Sequence, residues 1–472
     1  MIKNILAVLF LFSITISAQE YIRGVDLSTV PHIEDLGGMY KLNGQRKDVL
    51  DIFKENGANY VRLRLWHTPT NKYTGLNQTL LFAKRIKEKG MKFLLNFHYS
   101  DTWADPGSQT KPQKWNNLSF DQLKDSLYEY TKRVMILLKE QNSLPDMVQI
   151  GNEISGGMLW PDGRLYNVPD FEGQKVKFGQ LLKEGIRAVK EIAGTAPVKT
   201  MIHIPILNGS AGNVTYFYDI IRSQNIEYDI IGLSYYPWWH GNLTQLKSTL
   251  NTVANRYSKE IVIVETAYPW STGYQNDGTN NLVGPGTTLL PEFPATTSGQ
   301  KNFLLKLSEI IKETNNNKGI GFFYWEPAMI SLPGKRGSDW ENVATFSFSN
   351  QFGEAEGLES LSAFGALSSI AENEITHSLP YQFILHQNYP NPFNPETIIS
   401  YQIPQSGEVS LKIFNLLGQE IATLVEEFQN AGKYSATFNV NDLKNNQITS
   451  GIYFYRLTSG SYTSTKKLLL IK

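Results

Sequence analysis

The chain has 472 residues, too many for one ordinary compact domain but suited to a large barrel followed by a smaller module. Lysine and arginine together number 44, and so do aspartate and glutamate, so no overall field attracts nucleic acid or an anionic membrane. The absence of cysteine is compatible with export, because a domain of this size can be stabilised by burial alone. We expect a monomer with no nucleic-acid partner.

The first 18 residues have the layout of a secretory signal peptide. A basic start at Lys3 precedes an apolar run from Ile5 to Ile16, which is followed by the small residues Ser17 and Ala18. The run is too short to span a bilayer comfortably, and no later segment reaches transmembrane length. We expect cleavage after Ala18 and a protein that is secreted or attached to the cell surface.

Between residues 21 and 373, short apolar runs alternate with stretches of helical periodicity. The runs predict strands over 21–28, 59–66, 91–98, 146–153, 198–204, 228–235, 260–267 and 319–325. Residues 120–140 repeat apolar positions at three- and four-residue steps, and residues 357–372 are expected to form the last helix. Eight strand–helix units in series favour a closed (β/α)₈ barrel over 19–374 rather than an open doubly wound sheet. No GxGxxG or Walker-type loop follows the first strand, which removes the main nucleotide-binding alternative.

The character of the chain changes after the barrel. Residues 375–384 form a linker ahead of the Pro/Asn-rich run NYPNPFNPET, and the alternating runs that follow predict a small β-sandwich over 385–472, which closes on KKLLLIK. We predict that this tail folds by itself and adds nothing to the chemistry of the barrel. A carbohydrate-binding module is the alternative, in which Tyr453 and Tyr455 serve as platforms because the tail has no Trp.

Two glutamates end predicted barrel strands. Glu153 closes the run VQIGNE and Glu265 closes IVIVE, and each is followed by aromatic, Gly and Pro loop residues. A carboxylate at the end of an apolar strand is costly to bury unless it has a partner or a task. Barrel enzymes carry their active sites at the C-terminal ends of the strands, so the two carboxylates are expected to meet at one rim. Glycoside hydrolysis needs such a pair; a structural salt bridge is the alternative for each glutamate.

Other polar and aromatic residues follow the same strand ends and predict a sugar-binding cleft. They are Arg62 and Arg64 on strand two, His98, Asp101 and Trp103 at the end of strand three, Asn152 on strand four, Tyr235, Trp238 and Trp239 at the end of strand six, and Trp325 on strand eight. Aromatic rings suit this role because pyranose faces stack on them. Plainer alternatives stay open: the arginines pair carboxylates inside the barrel, His98 is a core histidine, and Trp325 packs a loop. Glu326 is expected to anchor a loop rather than to catalyse.

The runs GVDLS, VRLRLW, NFHYSDTWADPG, IGNEISGG, SYYPWW, ETAYPW and YWEPA resemble those of glycoside hydrolase family 53, the endo-β-1,4-galactanases, in the same order across the predicted barrel. The resemblance implies a barrel of the large retaining clan, with Glu153 as acid/base, Glu265 as nucleophile and Asn152 beside the sugar's 2-hydroxyl group. It implies a secreted, endo-acting enzyme that hydrolyses β-1,4-galactosidic bonds in galactan and arabinogalactan I by double displacement. The tail separately resembles the C-terminal sorting domain of the bacterial type IX secretion pathway, whose machinery is then a partner.

That chemistry sets requirements on the pair. The nucleophile must stay charged near neutral pH, and Arg62 or Arg64 and Tyr235 are the candidates for the cation and donor it needs. Glu153 is expected to have a raised pKa because ionised Glu265 lies close to it. The two carboxyl groups are expected to lie roughly 5–5.5 Å apart.

Some relatives in this family bind calcium between the loops after strands seven and eight. Here those loops contain NDGTNN (276–281) and GSDWEN (337–342), whose oxygens are of the type calcium prefers. The candidate ligands are Asp277, Asn280, Asp339 and Asn342. Asn/Asp/Gly clusters are usually plain turns, and the chemistry requires no cofactor.

Two other functions stay open on the sequence. One is a different specificity in the same clan, such as a mannanase or glucanase, since sequence physics does not separate epimeric hydroxyl groups. The other is a non-catalytic polysaccharide-binding protein that keeps the barrel as a scaffold. Intact Glu153 and Glu265 argue against it, because a binding module has no need of paired carboxylates.

Overall fold

The computed structural model describes residues 20–273, 279–372, 383–403, 406–429, 432–443, 448–460 and 462–471. The predicted signal peptide (1–18) and most of the predicted linker (375–384) lie outside the described residues. The chain divides into two compact units, Met1–Ala371 and Glu372–Lys472, close to the boundary expected from the sequence. Across the described ranges, every helix is too short or too polar to cross a bilayer.

Eight parallel strands of the first unit close into a barrel, which confirms the predicted fold. They are β1 (Ile22–Asp26), β2 (Tyr60–Leu65), β3 (Lys92–Phe97), β4 (Met147–Ile150), β5 (Lys199–Pro205), β6 (Ile230–Ser234), β7 (Glu260–Thr266) and β8 (Gly319–Tyr324). Each strand pairs with the next along the chain, and β8 pairs with β1 to complete the ring. Both faces of such a sheet are covered, which is why the strands read as nearly continuous apolar runs.

Helices connect the strands and cover the ring. The main ones are α1 (Val49–Glu55), α2 (Leu76–Glu88), α3 (Phe120–Glu140), α4 (Phe171–Ala193), α5 (Ala211–Ser223), α6 (Leu243–Tyr257), α7 (Thr297–Lys312) and α8 (Ser362–Glu372). Helix α3 has the predicted bounds because Ser119 and Gln122 form a capping box at its start. Helix α8 begins later than predicted, because Gly357 and Leu358 donate backbone hydrogen bonds to Lys41 and Thr345, and a 3₁₀ turn over Glu359–Leu361 then precedes the helix.

Short helices and strands lie at the rim formed by the C-terminal ends of the barrel strands. After β1 come a short helix (Val30–Asp35) and the strands Met39–Leu42 and Gln45–Lys47, which form a three-stranded sheet with Glu354–Glu356. A small hairpin of Gly157–Met158 and Gly163–Arg164 follows β4, and the helix Pro237–His240 follows β6. Of these insertions, the helix Pro237–His240 contributes Trp239 and His240 to the wall of a cleft at this rim.

The interior of the barrel changes from apolar to charged along the strands. One end is filled by a cluster of Ile22, Tyr60, Leu94, Met147, Met201, Ile230, Val262, Val264, Ile320 and Phe323. Because side chains alternate between the two faces of a strand, the inward row that starts at Tyr60 continues with Arg62 and Arg64. Both arginines are buried. An apolar plug therefore supports a charged cluster at the end where the strands finish.

The second unit is all β, as predicted. Its strands are β9 (Ile384–Leu385), β10 (Glu396–Ile403), β11 (Gly407–Phe414), β12 (Glu420–Gln429), β13 (Gly432–Asn439), β14 (Gly451–Ser459) and β15 (Tyr462–Leu470). They pair antiparallel in two sheets, β9-β10-β13 and β12-β11-β14-β15, around an apolar core of their own. Tyr453 and Tyr455 are buried in that core, so neither ring offers a platform for a sugar.

Candidate active site

The C-terminal ends of the barrel strands surround a cleft of about 450 Å³. Its walls come from the ends of β3 to β8 and the loops that follow: Trp103, Ala104, Asp105, Pro106, Asn152, Glu153, Pro205, Leu207, Tyr236, Trp239, His240, Glu265, Trp325 and Trp340. The two predicted carboxylates therefore share one cleft.

A β-bulge aims Glu265 into the barrel. Leu233 on β6 pairs with Ile263, but the next residue, Ser234, pairs with Glu265, so Val264 is an extra residue in β7. Val264 already lies in the interior plug. Strict alternation would turn Glu265 outward, and the bulge turns it inward beside the same cavity. Bulges are used in this way next to active sites.

Glu265 has a cation and a hydroxyl group as partners. Arg62 Nη2 lies 2.8 Å from Glu265 Oε1, and the Tyr236 hydroxyl donates a hydrogen bond to Oε2 at 3.3 Å. Burial raises the pKa of Glu265, while the Arg62 guanidinium and the Tyr236 hydroxyl act in the opposite direction. Both partners stabilise the ionised carboxylate.

Arg62 joins the ends of three strands through one buried guanidinium. Its Nη1 donates to Asp26 Oδ2 at 3.0 Å, and its Nη2 donates to Asn152 Oδ1 at 3.0 Å and to Gln149 Oε1 at 3.2 Å. The same Nη2 forms the ion pair with Glu265. Arg62 thus pairs carboxylates inside the barrel and at the same time contacts the candidate nucleophile.

Arg64 has a different partner. It forms an ion pair with Glu326, which also accepts a hydrogen bond from the Thr29 hydroxyl. The Arg64 guanidinium lies 4.5 Å from the ring centroid of Trp103 and 5.4 Å from that of Trp325. Arg64 therefore supports the aromatic wall, and Glu326 has the anchoring contacts expected of it.

Glu153 follows β4 in a left-handed backbone conformation, with φ 48° and ψ 47°. Non-glycine residues adopt it uncommonly, and it clusters at functional sites. The Ser234 hydroxyl donates to Glu153 Oε1 at 2.6 Å. A carboxylate oxygen of Glu153 lies within 4.8 Å of one of Glu265. Burial and the charge of Glu265 raise the pKa of Glu153 to about 8, so that Glu153 holds a proton near neutral pH.

A buried histidine contacts Ser234, the hydrogen-bond partner of Glu153. His203 on β5 has its Nε2 2.7 Å from Ser234 Oγ and its Nδ1 2.9 Å from Gln149 Nε2. Burial and the nearby Arg62 lower the pKa of His203 well below its usual range, so its imidazole is neutral.

Asn152 lines the cleft with an amide whose orientation is set. Its Oδ1 accepts from Arg62 at 3.0 Å, from Asn96 at 2.9 Å and from Gln149 at 3.1 Å. Its Nδ2 donates to Ala104 O at 2.9 Å. Since donors surround Oδ1, Nδ2 is the atom suited to donate to a sugar hydroxyl group.

His98 and Asp101, both at the end of β3, hold loops. His98 is buried, its Nδ1 accepts from the Ala104 backbone N–H at 3.3 Å, and burial lowers its pKa well below the usual range. Asp101 accepts backbone hydrogen bonds from Thr68 and Gln113, each at 2.8 Å. These contacts make Asp101 a loop anchor, and it is not among the described residues that wall the cleft, so its sugar-binding role stays a prediction.

Two predictions after β6 are corrected. Tyr235 is fully buried, and its hydroxyl donates to Gly241 O at 2.9 Å, so Tyr236 rather than Tyr235 is the donor to Glu265. Successive side chains leave a strand on opposite faces, which separates the two tyrosines. Trp238 packs on Tyr236, with ring centroids 5.4 Å apart, and is not among the residues that wall the cleft in the described part of the chain.

Indole rings provide the apolar surface of the cleft. Trp103 is 43 % exposed and Trp239 is 48 % exposed, whereas Trp325 is 8 % exposed and has its ring centroid 5.9 Å from that of Trp103. Trp340, in the loop after β8, adds a further ring 6.2 Å from Trp239 and 6.3 Å from Trp325. Exposed rings around paired carboxylates suit stacking on sugar faces.

The calcium candidates are spread over two loops. Asp277 lies outside the described residues, and Asn280 and Asp339 are exposed. Asn342 is fully buried, and its Nδ2 donates to Ser271 O at 2.7 Å and to Val283 O at 2.6 Å, which ties the loops after β7 and β8 together. Its Oδ1 has no hydrogen-bond partner within the described ranges, which fits an oxygen ligand.

Sequence reasoning missed several residues of the site. Asp26 and Ser234 lie in the runs GVDLS and SYYPWW at predicted strand ends. Because barrel active sites lie at the C-terminal ends of strands, this position could have identified both residues. A histidine inside the apolar run VKTMIHI was a signal for His203. Nothing in the local pattern marked Trp340. The full set that was missed is Asp26, Gln149, His203, Ser234, Tyr236 and Trp340.

A parallel (β/α)₈ barrel with two facing carboxylates in a cleft walled by indole rings defines a glycoside hydrolase. The family model described as glycosyl hydrolase family 53 matches residues 22–364, and the chain belongs to this family. The model described as a secretion system C-terminal sorting domain matches residues 387–472.

Individual relatives agree with this membership. The arabinogalactan endo-β-1,4-galactanase of Cellvibrio japonicus is 38 % identical over 68 % of this chain and 85 % of its own length. The Ignisphaera aggregans GH53 catalytic domain superposes with a TM-score of 0.65 at 37 % identity, over 73 % of this chain and 95 % of that one. A structure from a study of two fungal β-1,4-galactanases gives a TM-score of 0.63 at 33 % identity, over 74 % of this chain and 99 % of that one.

Proposed function

We propose that the protein is a secreted, retaining endo-β-1,4-galactanase in which Glu265 is the nucleophile and Glu153 the acid/base. The observation that carries the proposal is the pair itself: two carboxylate oxygens within 4.8 Å, one group facing Arg62 and the other facing the Ser234 hydroxyl. Inverting enzymes hold their carboxyl groups about 6.5–9.5 Å apart to admit a water, whereas retaining enzymes hold them about 5–5.5 Å apart. The nearest oxygens of the pair, which lie within 4.8 Å of each other, favour the shorter, retaining separation of the carboxyl groups.

In the first step, a Glu265 carboxylate oxygen attacks the anomeric carbon as the bond from that carbon to the leaving oxygen breaks. The proton of Glu153 passes to the leaving oxygen, so the departing chain leaves as an alcohol and Glu153 becomes ionised. Arg62 and Tyr236 keep Glu265 charged before attack. In this mechanism the second hydrogen of Asn152 Nδ2, whose first bonds Ala104 O, is donated to the 2-hydroxyl group, and this bond strengthens as positive charge develops on the ring.

In the second step, ionised Glu153 takes a proton from a water molecule whose oxygen attacks the anomeric carbon. The bond between this carbon and Glu265 breaks, which returns the nucleophile as a carboxylate. Glu153 is protonated again, and two inversions give net retention. Once Glu265 is esterified its charge is gone, which removes one of the two main causes of the raised pKa of Glu153 and suits its change of role from acid to base.

The substrate assignment rests on relatives named as galactanases, and on a cleft that is compatible with it. A reducing-sugar assay tests it directly, with β-1,4-galactan as substrate and with mannan and glucan as control substrates. The Glu265→Gln variant is the inactive control. Hydrolysis of galactan is expected. Equal or faster hydrolysis of mannan or glucan would replace this specificity with another from the same clan.

Endo action is tested by sizing products over time. Half-exposed Trp103 and Trp239 stand on the cleft wall as platforms for a polymer chain. A spread of oligosaccharides at early times is expected. Early release of monosaccharide alone would contradict endo action.

We propose that the tail serves export or surface attachment through type IX secretion and takes no part in hydrolysis. Its match to a sorting-domain model and its separate core support this. Truncation near residue 376 should leave kcat and KM on soluble galactan unchanged and abolish export. A truncated enzyme that folds but loses affinity for polysaccharide would make the tail a binding module.

Calcium binding between the loops after β7 and β8 stays a prediction. Asn342 Oδ1 is the oxygen best placed to serve, and the ion would stiffen the wall that carries Trp340. A fall in Tm on chelation, reversed by calcium and absent in Asn342→Ala, is the expected result. The same Tm with and without chelator would remove the prediction.

A further inference from the structure

The hydrogen bonds behind Glu153 form a chain whose direction is fixed at its far end. Arg62 Nη2 donates to Gln149 Oε1 at 3.2 Å, and an arginine has no acceptor with which to reverse this bond. The Gln149 amide nitrogen lies on the other side, where it is 3.0 Å from Gly151 O and 2.9 Å from His203 Nδ1. Gln149 is therefore the donor to His203.

The tautomer of His203 follows from this. Its Nδ1 accepts from Gln149 and, at 3.4 Å, from the backbone N–H of Glu153, so Nδ1 carries no proton. A neutral imidazole with an accepting Nδ1 carries its proton on Nε2. Nε2 lies 2.7 Å from Ser234 Oγ, and His203 thus donates to this hydroxyl group.

The hydrogen bond from His203 to Ser234 also determines which atom donates in the bond between Ser234 and Glu153. The Ser234 oxygen accepts from His203, and Glu153 Oε1, 2.6 Å away, is the one acceptor that Ser234 Oγ reaches among the described residues, so the serine hydrogen is directed there. A proton on Oε1 would meet this hydrogen head-on. Ser234 could accept a proton held on Oε1 only if its own hydrogen gave up Glu153, the one acceptor that it has among the described residues, because His203 continues to donate to the other lone pair of the hydroxyl.

We propose that Gln149, His203 and Ser234 form a directed relay that holds Glu153 Oε1 as an acceptor and places the catalytic proton on Oε2. The proposal rests on the acid/base role proposed above for Glu153. Ser234 and His203 are positioning residues, since they act through Glu153. During deglycosylation the same Ser234 bond stabilises the ionised carboxylate that takes the proton from water.

The charges around Glu153 determine how its pKa changes when the relay is lost. The groups that face it are Glu265 on β7, Arg62 on β2, Asp105 after β3, His203 on β5, and Ser234 and Tyr236 at the end of β6. Burial, Glu265 and Asp105 raise the pKa of Glu153, whereas the Ser234 hydroxyl and Arg62 lower it. Removal of the Ser234 hydroxyl therefore raises this pKa further.

The alkaline limb of kcat/KM against pH tests the relay, because it reports loss of the proton from the acid. The wild-type limb is expected near pH 8. In Ser234→Ala it should move about one pH unit higher, the size expected for loss of one hydrogen bond. Ser234→Thr keeps the hydroxyl and should restore the limb. His203→Phe keeps the Ser234 hydroxyl but releases its hydrogen, and should give a smaller shift in the same direction.

Tyr236→Phe is the matched control, because it removes a hydroxyl at the same strand end whose hydrogen bond goes to Glu265 rather than to Glu153. It should move the acidic limb and leave the alkaline limb in place. An alkaline limb that is unmoved or lowered in folded Ser234→Ala overturns the relay; if Ser234→Ala does not fold, an unmoved or lowered limb in His203→Phe overturns it. If Glu153→Gln keeps the wild-type alkaline limb, Glu153 is not the titrating acid, and the proposed function fails before the relay is reached.

Discussion

The two glutamates of the cleft have the same side chain but contrasting surroundings. Glu265 lies against a buried guanidinium and a phenol, whereas the direct partner of Glu153 is a neutral hydroxyl group backed by a neutral imidazole. Burial raises the pKa of both groups, so partners decide which one keeps the proton. The contrast fits the proposed roles, in which one fold gives two chemically identical residues the tasks of acid and nucleophile.

The strongest test of this contrast is Glu265→Gln. Loss of the nucleophile should lower kcat on galactan by about 10⁴-fold or more while KM changes little. Glu326→Gln is the matched control, because Glu326 is also buried at a strand end beside an arginine but faces Arg64. Equal loss of turnover in both variants would mean that burial near an arginine, and not nucleophilic attack, explains the effect.

Glu153→Gln tests the second glutamate of this comparison, the proposed acid/base. On galactan, loss of general acid–base catalysis should lower kcat/KM by about 10²- to 10⁴-fold. On an aryl galactoside with a good leaving group, kcat/KM should stay near the wild-type value because departure needs little protonation. If Glu153→Gln and Glu265→Gln were equally impaired on the activated substrate, the two roles would not be separated as proposed.

Arg62→Lys should weaken the interaction that keeps Glu265 ionised. A single ammonium cannot serve Asp26, Asn152 and Glu265 together as the forked guanidinium does. Arg62 lowers the pKa of Glu265, so its loss should raise that pKa and move the acidic limb of kcat/KM to higher pH. We expect a fall in kcat of about 10- to 100-fold at neutral pH, the cost of a charge-assisted hydrogen bond.

The control for this prediction is Arg64→Lys, measured over the same pH range. Arg64 pairs with Glu326, so its replacement should leave the acidic limb where it is. A limb that moves equally in both variants would assign the effect to the summed charge of the cluster rather than to the contact with Glu265.

The smallest expected effect separates two adjacent tyrosines. Tyr236→Phe removes one hydrogen bond to Glu265 and should lower kcat about tenfold. Tyr235→Phe removes a bond to Gly241 O and should lower Tm without changing kcat. Kinetics and thermal unfolding on both variants measure the difference; a larger kinetic loss in Tyr235→Phe would restore the prediction made from the sequence.

Much of the fold was predictable because barrel strands are local signals. A strand buried on both faces reads as an apolar run, and the run from 120 to 140 carried both its helical period and its capping box. The two glutamates proposed as catalytic were located in the same way, as charges at the ends of such runs. The start of α8 was missed because Gly357 and Leu358 donate backbone hydrogen bonds to Lys41 O and Thr345 O, distant partners that no local pattern records.

The sequence by itself determined the eight strands, the all-β tail and the identity of the two carboxylates, since each depends on residues that are neighbours along the chain. Only the tertiary structure decided which arginine meets which glutamate, which tyrosine faces inward and which carboxyl group keeps the proton. These outcomes depend on register between strands: one extra residue at Val264 turns Glu265 into the barrel beside Ser234 and within reach of Arg62. Register follows from the packing of the closed ring, and so it is fixed by residues far apart in sequence.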